Sequence, residues 1–128
     1  LLDNTSLYIP SNKKIALIGK NGIGKTSLVK EIINNNSNLS INPNSNIGYF
    51  SQNLSNLDEN ETIIKNLMKD SIQNETTIRN ILGCLQIKGN KIFDTIKNLS
   101  GGEKVKVSIS KLLVSNANLL ILDEPTNF

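Results

Sequence analysis

"GKNGIGKT", residues 19–26, is the stretch whose reading decides the fold. It fits GxxxxGK(S/T) at every fixed position. The pattern alone arises by chance in about one chain in two hundred of this length, so its neighbours must decide. On its N-terminal side, "KIALIG" (Lys14–Gly19) is a short continuous apolar run closed by glycine, which predicts a buried parallel strand. On its C-terminal side, "KTSLVKEII" (Lys25–Ile33) repeats Leu28, Val29, Ile32 and Ile33 at helical spacing. Strand, glycine loop and helix therefore follow one another.

That order makes chemical sense of the spacing. Gly19, Gly22 and Gly24 permit backbone conformations closed to other residues and let amides approach an anion. Successive N–H groups and the start of the following helix then point at phosphate oxygens. Lys25 supplies positive charge to the β- and γ-phosphates of a nucleotide, and Thr26 offers its hydroxyl to Mg²⁺. Asn21 and Ile23 fill variable positions, and the Lys20 side chain reads as solvated rather than as a second phosphate contact.

Outward from the loop, "TSLYIP" (Thr5–Pro10) alternates polar and apolar residues like a half-buried strand ending at proline. "NIGYF" (Asn46–Phe50) predicts a further strand, and Glu61–Lys69 and Glu75–Leu85 two short amphipathic helices. Gly102–Ser115 is rich in β-branched residues, but Val105, Ile109, Leu112 and Leu113 are in helical phase. Ser100 with Glu103 three residues on forms a capping box that decides for helix. "NLLILD" (Asn118–Asp123) predicts a final buried strand. Strands interleaved with helices argue for an α/β fold with a mostly parallel sheet.

Composition narrows the classes. The chain has 128 residues, 38% hydrophobic and 20% charged, which allows one domain with a real core. The net charge of +3 suits anionic ligands without demanding nucleic acid, and no cluster of five basic residues exists, so direct DNA binding is not expected. Cys84 is alone, which excludes a disulfide framework and a cysteine metal site. No apolar run approaches the roughly 20 residues of a membrane span. The N-terminus lacks a secretory pattern, so the expected location is the cytoplasm. Asparagine-rich pieces such as "NNNSNLSINPNSN" (Asn34–Asn46) read as loop, their abundance as codon bias.

Two further motifs carry chemistry. In "LSGGE" (Leu99–Glu103) the glycines at a helix start cost up to about 1 kcal/mol each against alanine, so stability alone would not select them. They leave a flat, donor-rich surface for an anion. "LILDEP" ends an apolar strand in Asp123 and Glu124. An aspartate there fits a Mg²⁺ ligand acting through water, and the next carboxylate can orient or deprotonate the attacking water.

Phosphate loop, Gln52 after the strand in "GYFSQ", "LSGGE" and "LILDEP" stand in the order of an ATP-binding cassette (ABC) ATPase, which the chain resembles over essentially its whole length. RecA-like proteins and GTPases lack LSGGE, and chromosome-maintenance ATPases separate these motifs by a long coiled coil, where here only residues 27–98 intervene. The resemblance implies a P-loop NTPase fold with flanking helices and a small helical insert at roughly 58–100. Residues 1–128 would be one partial ABC ATPase domain whose C-terminal end is missing.

It also implies roles. Gly19, Lys20, Asn21, Gly22, Ile23, Gly24, Lys25, Thr26 and Ser27 would bind the triphosphate of ATP, with Lys25 and Gln52 also in the catalytic set. Thr26, Gln52 and Asp123 would surround Mg²⁺, and Glu124 would be the general base. Ser100, Gly101, Gly102 and Glu103 would face the γ-phosphate of ATP held by a second ABC domain in a head-to-tail pair. "DEPTN" is similar to the ABC-F branch, soluble two-cassette proteins that act on the ribosome. Phe128 stands where most of that branch has histidine, as in antibiotic-resistance members of the Vga and Msr type, whose C-terminal cassette the chain resembles. A switch histidine and an assignable adenine-stacking aromatic are absent, so turnover by these residues alone is expected near background. The alternatives from other classes are the nucleotide-binding subunit of a membrane transporter and an inactive nucleotide-binding fragment.

Overall fold

The computed structural model describes residues 8–35, 39–51 and 53–125. It divides into two compact units, 1–40 and 41–128. In the first unit, residues 13–20 run without regular secondary structure into a turn at 21–22, and helix α1 spans Lys25–Ile33. The helix coincides with the sequence reading because its apolar spacing, glycine start and asparagine end agree. Gly24 is its N-cap in the left-handed region at φ 102°, and Asn34 its C-cap.

The strand expected at 14–19 is not formed. Its backbone joins no ladder among the described residues, and Ile15, Leu17 and Ile18 are half or more exposed. An apolar run becomes a buried strand only when neighbouring strands take up its N–H and C=O groups, and none is paired with it here. The expected strand at Thr5–Pro10 lies largely outside the described residues, and Tyr8–Pro10 carry no strand.

The second unit holds the sheet and the core. Strands β1 (Ile47–Phe50) and β2 (Leu119–Leu122) pair in parallel, Ile47 opposite Leu119 and Phe50 opposite Leu122. Residues 51–118 connect them through α2 (Ile63–Lys69), α3 (Glu75–Cys84), 3-10 helices at Gly89–Phe93 and Ile96–Asn98, and α4 (Gly101–Val114). Each α-helix of this connection begins on a side-chain cap, with Thr62, Asn74 and Ser100 accepting from the N–H of Lys65, Thr77 and Glu103 respectively. Between these helices sits one apolar cluster, including Ile63, Leu67, Ile78, Leu82, Ile96, Val107 and Val114, all fully buried. Asn66 is buried within it with its amide satisfied: it donates to the carbonyls of Asp58 and Thr62 and accepts from the Asp58 N–H.

The sheet is less buried than its sequence suggests. Leu120 and Leu122 are each 52% exposed. With Phe50, Ile109, Leu112, Leu113 and Pro125 they line an open apolar hollow of about 200 Å³ between the strand pair and α4. Where strands and helix do meet, contact is tight. A Cβ on Gly48 would lie 2.8 Å from the Ala117 Cβ just after α4, 3.0 Å from Leu120 Cδ2 on β2 and 3.2 Å from Leu112 Cδ2 on α4, so a side chain there would displace its neighbours.

Asparagines fasten the strand starts. Asn118 accepts from the Asn46 N–H through its side chain at 2.9 Å, donates its own N–H to the Asn46 carbonyl at 3.0 Å, and donates its amide to Asn44 at 2.9 Å. The asparagine content read as codon bias therefore includes residues with definite structural work.

Candidate functional site

The phosphate-loop motif belongs to the first unit. Its turn closes with the Ile23 N–H on the Lys20 carbonyl (3.3 Å), and α1 begins with the Leu28 N–H on the Gly24 carbonyl (3.0 Å). Gly22 (φ 78°) and Gly24 (φ 102°) both sit in the left-handed region, which side chains rarely adopt. The Lys25 ammonium folds back over the loop and donates to the carbonyls of Gly19 (2.9 Å) and Lys20 (3.1 Å). The motif's lysine, the first residue of α1, thus ties the helix start back to the loop through its side chain. The start of α1 has no side-chain cap and no acidic residue in its first turn. The helix dipole at this start is therefore not offset by an acidic side chain, which suits an anion-binding helix start.

The other candidate residues belong to the second unit. Asp123 follows β2 directly and is buried at 6% exposure. Its N–H donates to the Phe50 carbonyl at 3.0 Å, extending the ladder by one bond. Its Oδ2 accepts from the Tyr49 hydroxyl at 3.3 Å. The register explains the meeting: Tyr49 is opposite Ile121, and Asp123 is the next residue on that face. Burial, and then the Asp123 charge and hydrogen bond, push the Tyr49 phenol above its ordinary value, so it stays a donor. Tyr49 is a residue the sequence reading missed; the alternation in "IGYF" was the available signal.

Glu124 turns the chain sharply at φ 50°. A non-glycine residue held there costs roughly 1–3 kcal/mol, a strain that clusters at functional sites. Gln52 and Phe128, both singled out from the sequence, lie outside the described residues.

The LSGGE turn forms the capping box that the sequence implies. Ser100 accepts from the Glu103 N–H (3.4 Å), while Glu103 Oε2 accepts from the Ser100 N–H and hydroxyl, both at 2.9 Å. Lys91, from the 3-10 helix at Gly89–Phe93, pairs with the other Glu103 oxygen. Gly101 and Gly102 are exposed, and a Cβ on either meets nothing within 4 Å. Packing among the described residues gives no reason for their smallness.

Comparison with known proteins gives the family. A family model described as "ABC transporter" matches residues 2–127. The chain belongs to the ABC family. This cassette is 36% identical over 129 residues to the erythromycin resistance ATP-binding protein MsrA of Staphylococcus epidermidis, covering 100% of this chain and 26% of that protein. It is 38% identical over 136 residues to the ATP-binding protein Uup of Buchnera aphidicola, covering 99% and 23% respectively. Against Uup of Escherichia coli K12 the identity is 33% over 136 residues, covering 99% and 21%. The cassette thus spans about a fifth to a quarter of the length of the curated relatives it matches. The resemblance to ABC-F-type ATP-binding proteins is borne out. Among the described residues, no helix is long and apolar enough to cross a membrane.

Proposed function

We propose that this cassette holds Mg-ATP and, in the full-length protein, hydrolyses it jointly with a second cassette as part of an ABC-F protein acting on the ribosome in the cytoplasm. The observation that carries the nucleotide reading is the Lys25 ammonium seated on the Gly19 and Lys20 carbonyls beneath an uncapped helix start. Residues 19–27 then wrap the triphosphate, and Lys25 bridges loop and phosphates.

The donors this reading names are of the oxygen kind that Mg²⁺ takes. Among the described residues no group of three or more His, Cys, Asp or Glu stands together as a cation cage. Mg²⁺ needs none, since it commonly uses one or two protein oxygens, waters and the nucleotide's phosphates. Thr26, Gln52 and Asp123 would supply the protein oxygens, with Asp123 steadied by Tyr49. The metal, when bound, would neutralise charge on the transferring phosphoryl group. Glu124, next to Asp123 and in a strained backbone conformation, would take the proton from the attacking water. Ser100, Gly101, Gly102 and Glu103 would face ATP held by the opposing cassette, which accounts for glycines that the chain's own packing does not require.

MsrA is by its name an erythromycin resistance protein. Together with Phe128, that relation supports protection of the ribosome against an antibiotic as this protein's role. The test is co-sedimentation of the full-length gene product with 70S ribosomes, alongside its ATPase rate. We expect ribosome binding, and a loss of about 10²–10⁴ in turnover with nucleotide binding retained in Glu124→Gln. Membrane association without ribosome binding would favour a transporter subunit instead and sink the ribosomal reading.

A further inference from the structure

The Glu103 carboxylate is held from two directions. Oε2 takes both protons that Ser100 offers, and Oε1 takes the ammonium of Lys91. Lys91 is not on α4. It stands on the 3-10 helix Gly89–Phe93, whose Ile92 is anchored at 2% exposure in the insert's apolar cluster. The neighbouring cation, Lys104, is engaged elsewhere, on Glu59 at 2.6 Å. One side chain of the insert therefore reaches the turn that begins α4.

We propose that Lys91 is a positioning residue for the LSGGE turn: clamping Glu103 from the insert, it fixes Ser100, Gly101 and Gly102 in the geometry with which they meet the opposing cassette's nucleotide. The clamp rests on the reading of that turn as nucleotide-facing. Its physics is that of a charge-assisted network. A carboxylate held between an ammonium and two Ser100 donors has one orientation, and so then does the Ser100 side chain. The Lys91 ammonium is the largest cause, and the Ser100 bonds the next, holding the Glu103 carboxyl down at about 2, so the clamp keeps its charge throughout the neutral range. Without Lys91, the capping box remains possible, but its carboxylate is no longer held from the insert; the Lys104–Glu59 pair ties α4 to the insert without touching Glu103. A shift of the 3-10 helix at Gly89–Phe93 would move Glu103 and, through it, Ser100.

The experiment uses the full-length protein with Lys91→Met, Lys91→Arg, Glu103→Gln and the double variant Lys91→Met/Glu103→Gln. Readouts are kcat and KM for ATP, binding of a fluorescent ATP analogue, and hydrogen exchange at the Ser100 amide. We expect Lys91→Met to lower kcat roughly two- to fivefold, the scale of a partly exposed ion pair, with analogue binding unchanged. Lys91→Arg should restore it. In the Glu103→Gln background Lys91→Met should change nothing further, because the clamp is already gone. Ser100 exchange should quicken in Lys91→Met and not in Lys91→Arg.

Unchanged kcat and exchange in Lys91→Met, or a full additional loss in the Glu103→Gln background, would overturn the clamp. If the wild type shows no ATP turnover, the nucleotide reading has failed, and Ser100 exchange alone still decides whether Lys91 holds the turn.

Discussion

Two helices of this chain begin at glycine-rich motifs, and they begin in opposite ways. Helix α1 starts at Gly24, with no side-chain cap and no acid in its first turn. Helix α4 starts at Ser100, with a complete capping box and an ion pair behind it. The first carries no side chain of its own against the helix dipole. The second is already satisfied by its own carboxylate, and it offers a small, rigid surface instead. An anion-facing helix start can thus be built either as an unfilled cap or as a finished one with the side chains pared away. On the function proposed above, the first would hold a nucleotide and the second would close on one.

The contrast can be broken most severely at α1. Lys25→Met removes the cation that bridges the loop carbonyls, and bonds to charged groups contribute about 1.5–3 kcal/mol. Affinity for ATP should fall about ten- to a hundredfold, read by titration with a fluorescent analogue, with α4 unaffected by circular dichroism. Retained affinity would mean that the loop does not hold the nucleotide.

At α4 the same kind of change should separate stability from activity. Ser100→Ala loses the cap and should destabilise by about 1 kcal/mol, seen as a lower melting temperature. Gly101→Ala meets nothing within 4 Å and gains helix propensity, so the fold should gain up to about 1 kcal/mol. Turnover of the full-length protein should nevertheless drop in both. A Gly101→Ala variant that is more stable and fully active would remove the reason for treating the turn as a contact surface.

The smallest effect is on pH. In the folded chain Glu103 titrates at about 2, chiefly through Lys91, against an ordinary value of 4.5. A depressed carboxyl stabilises the fold above its unfolded value and loses that contribution as pH falls. The contribution of Glu103 is therefore complete above about pH 4.5 and fades between there and pH 2. Melting curves of wild type and Glu103→Gln should converge across that window; a constant offset down to pH 2 would show that the carboxylate's charge is not what matters.

How much of this was legible in the sequence differs between the same two helices and the strands around them. Helix α1 was readable at both ends and α4 to within one residue, because apolar spacing and end residues are local signals. Strands were less so. "NIGYF" and "NLLILD" hold the pair β1–β2, but "KIALIG" has the same apolar look and no ladder among the described residues, since pairing depends on residues far away in sequence. The candidate site divides similarly. The loop lysine and the capping box follow from spacing. Lys91 does not, because residues twelve apart on different helices share no periodicity. The Tyr49–Asp123 contact required the register of two strands. The asparagine lock at the strand starts was hidden by abundance: in the sequence Asn118 looks like every other asparagine.

The long connection between β1 and β2 has a consequence for the order in which this chain folds. The apolar cluster of residues 57–114 is made by neighbours along the chain, whereas the strand pair must close over residues 51–118 before its first hydrogen bond forms. Closure entropy grows with the length of slack chain, and a prefolded insert shortens that slack. The helical insert should therefore condense first and bring the strand ends together. The seat of Asp123 and Glu124 would then be among the last parts to assemble and the first to open on heating.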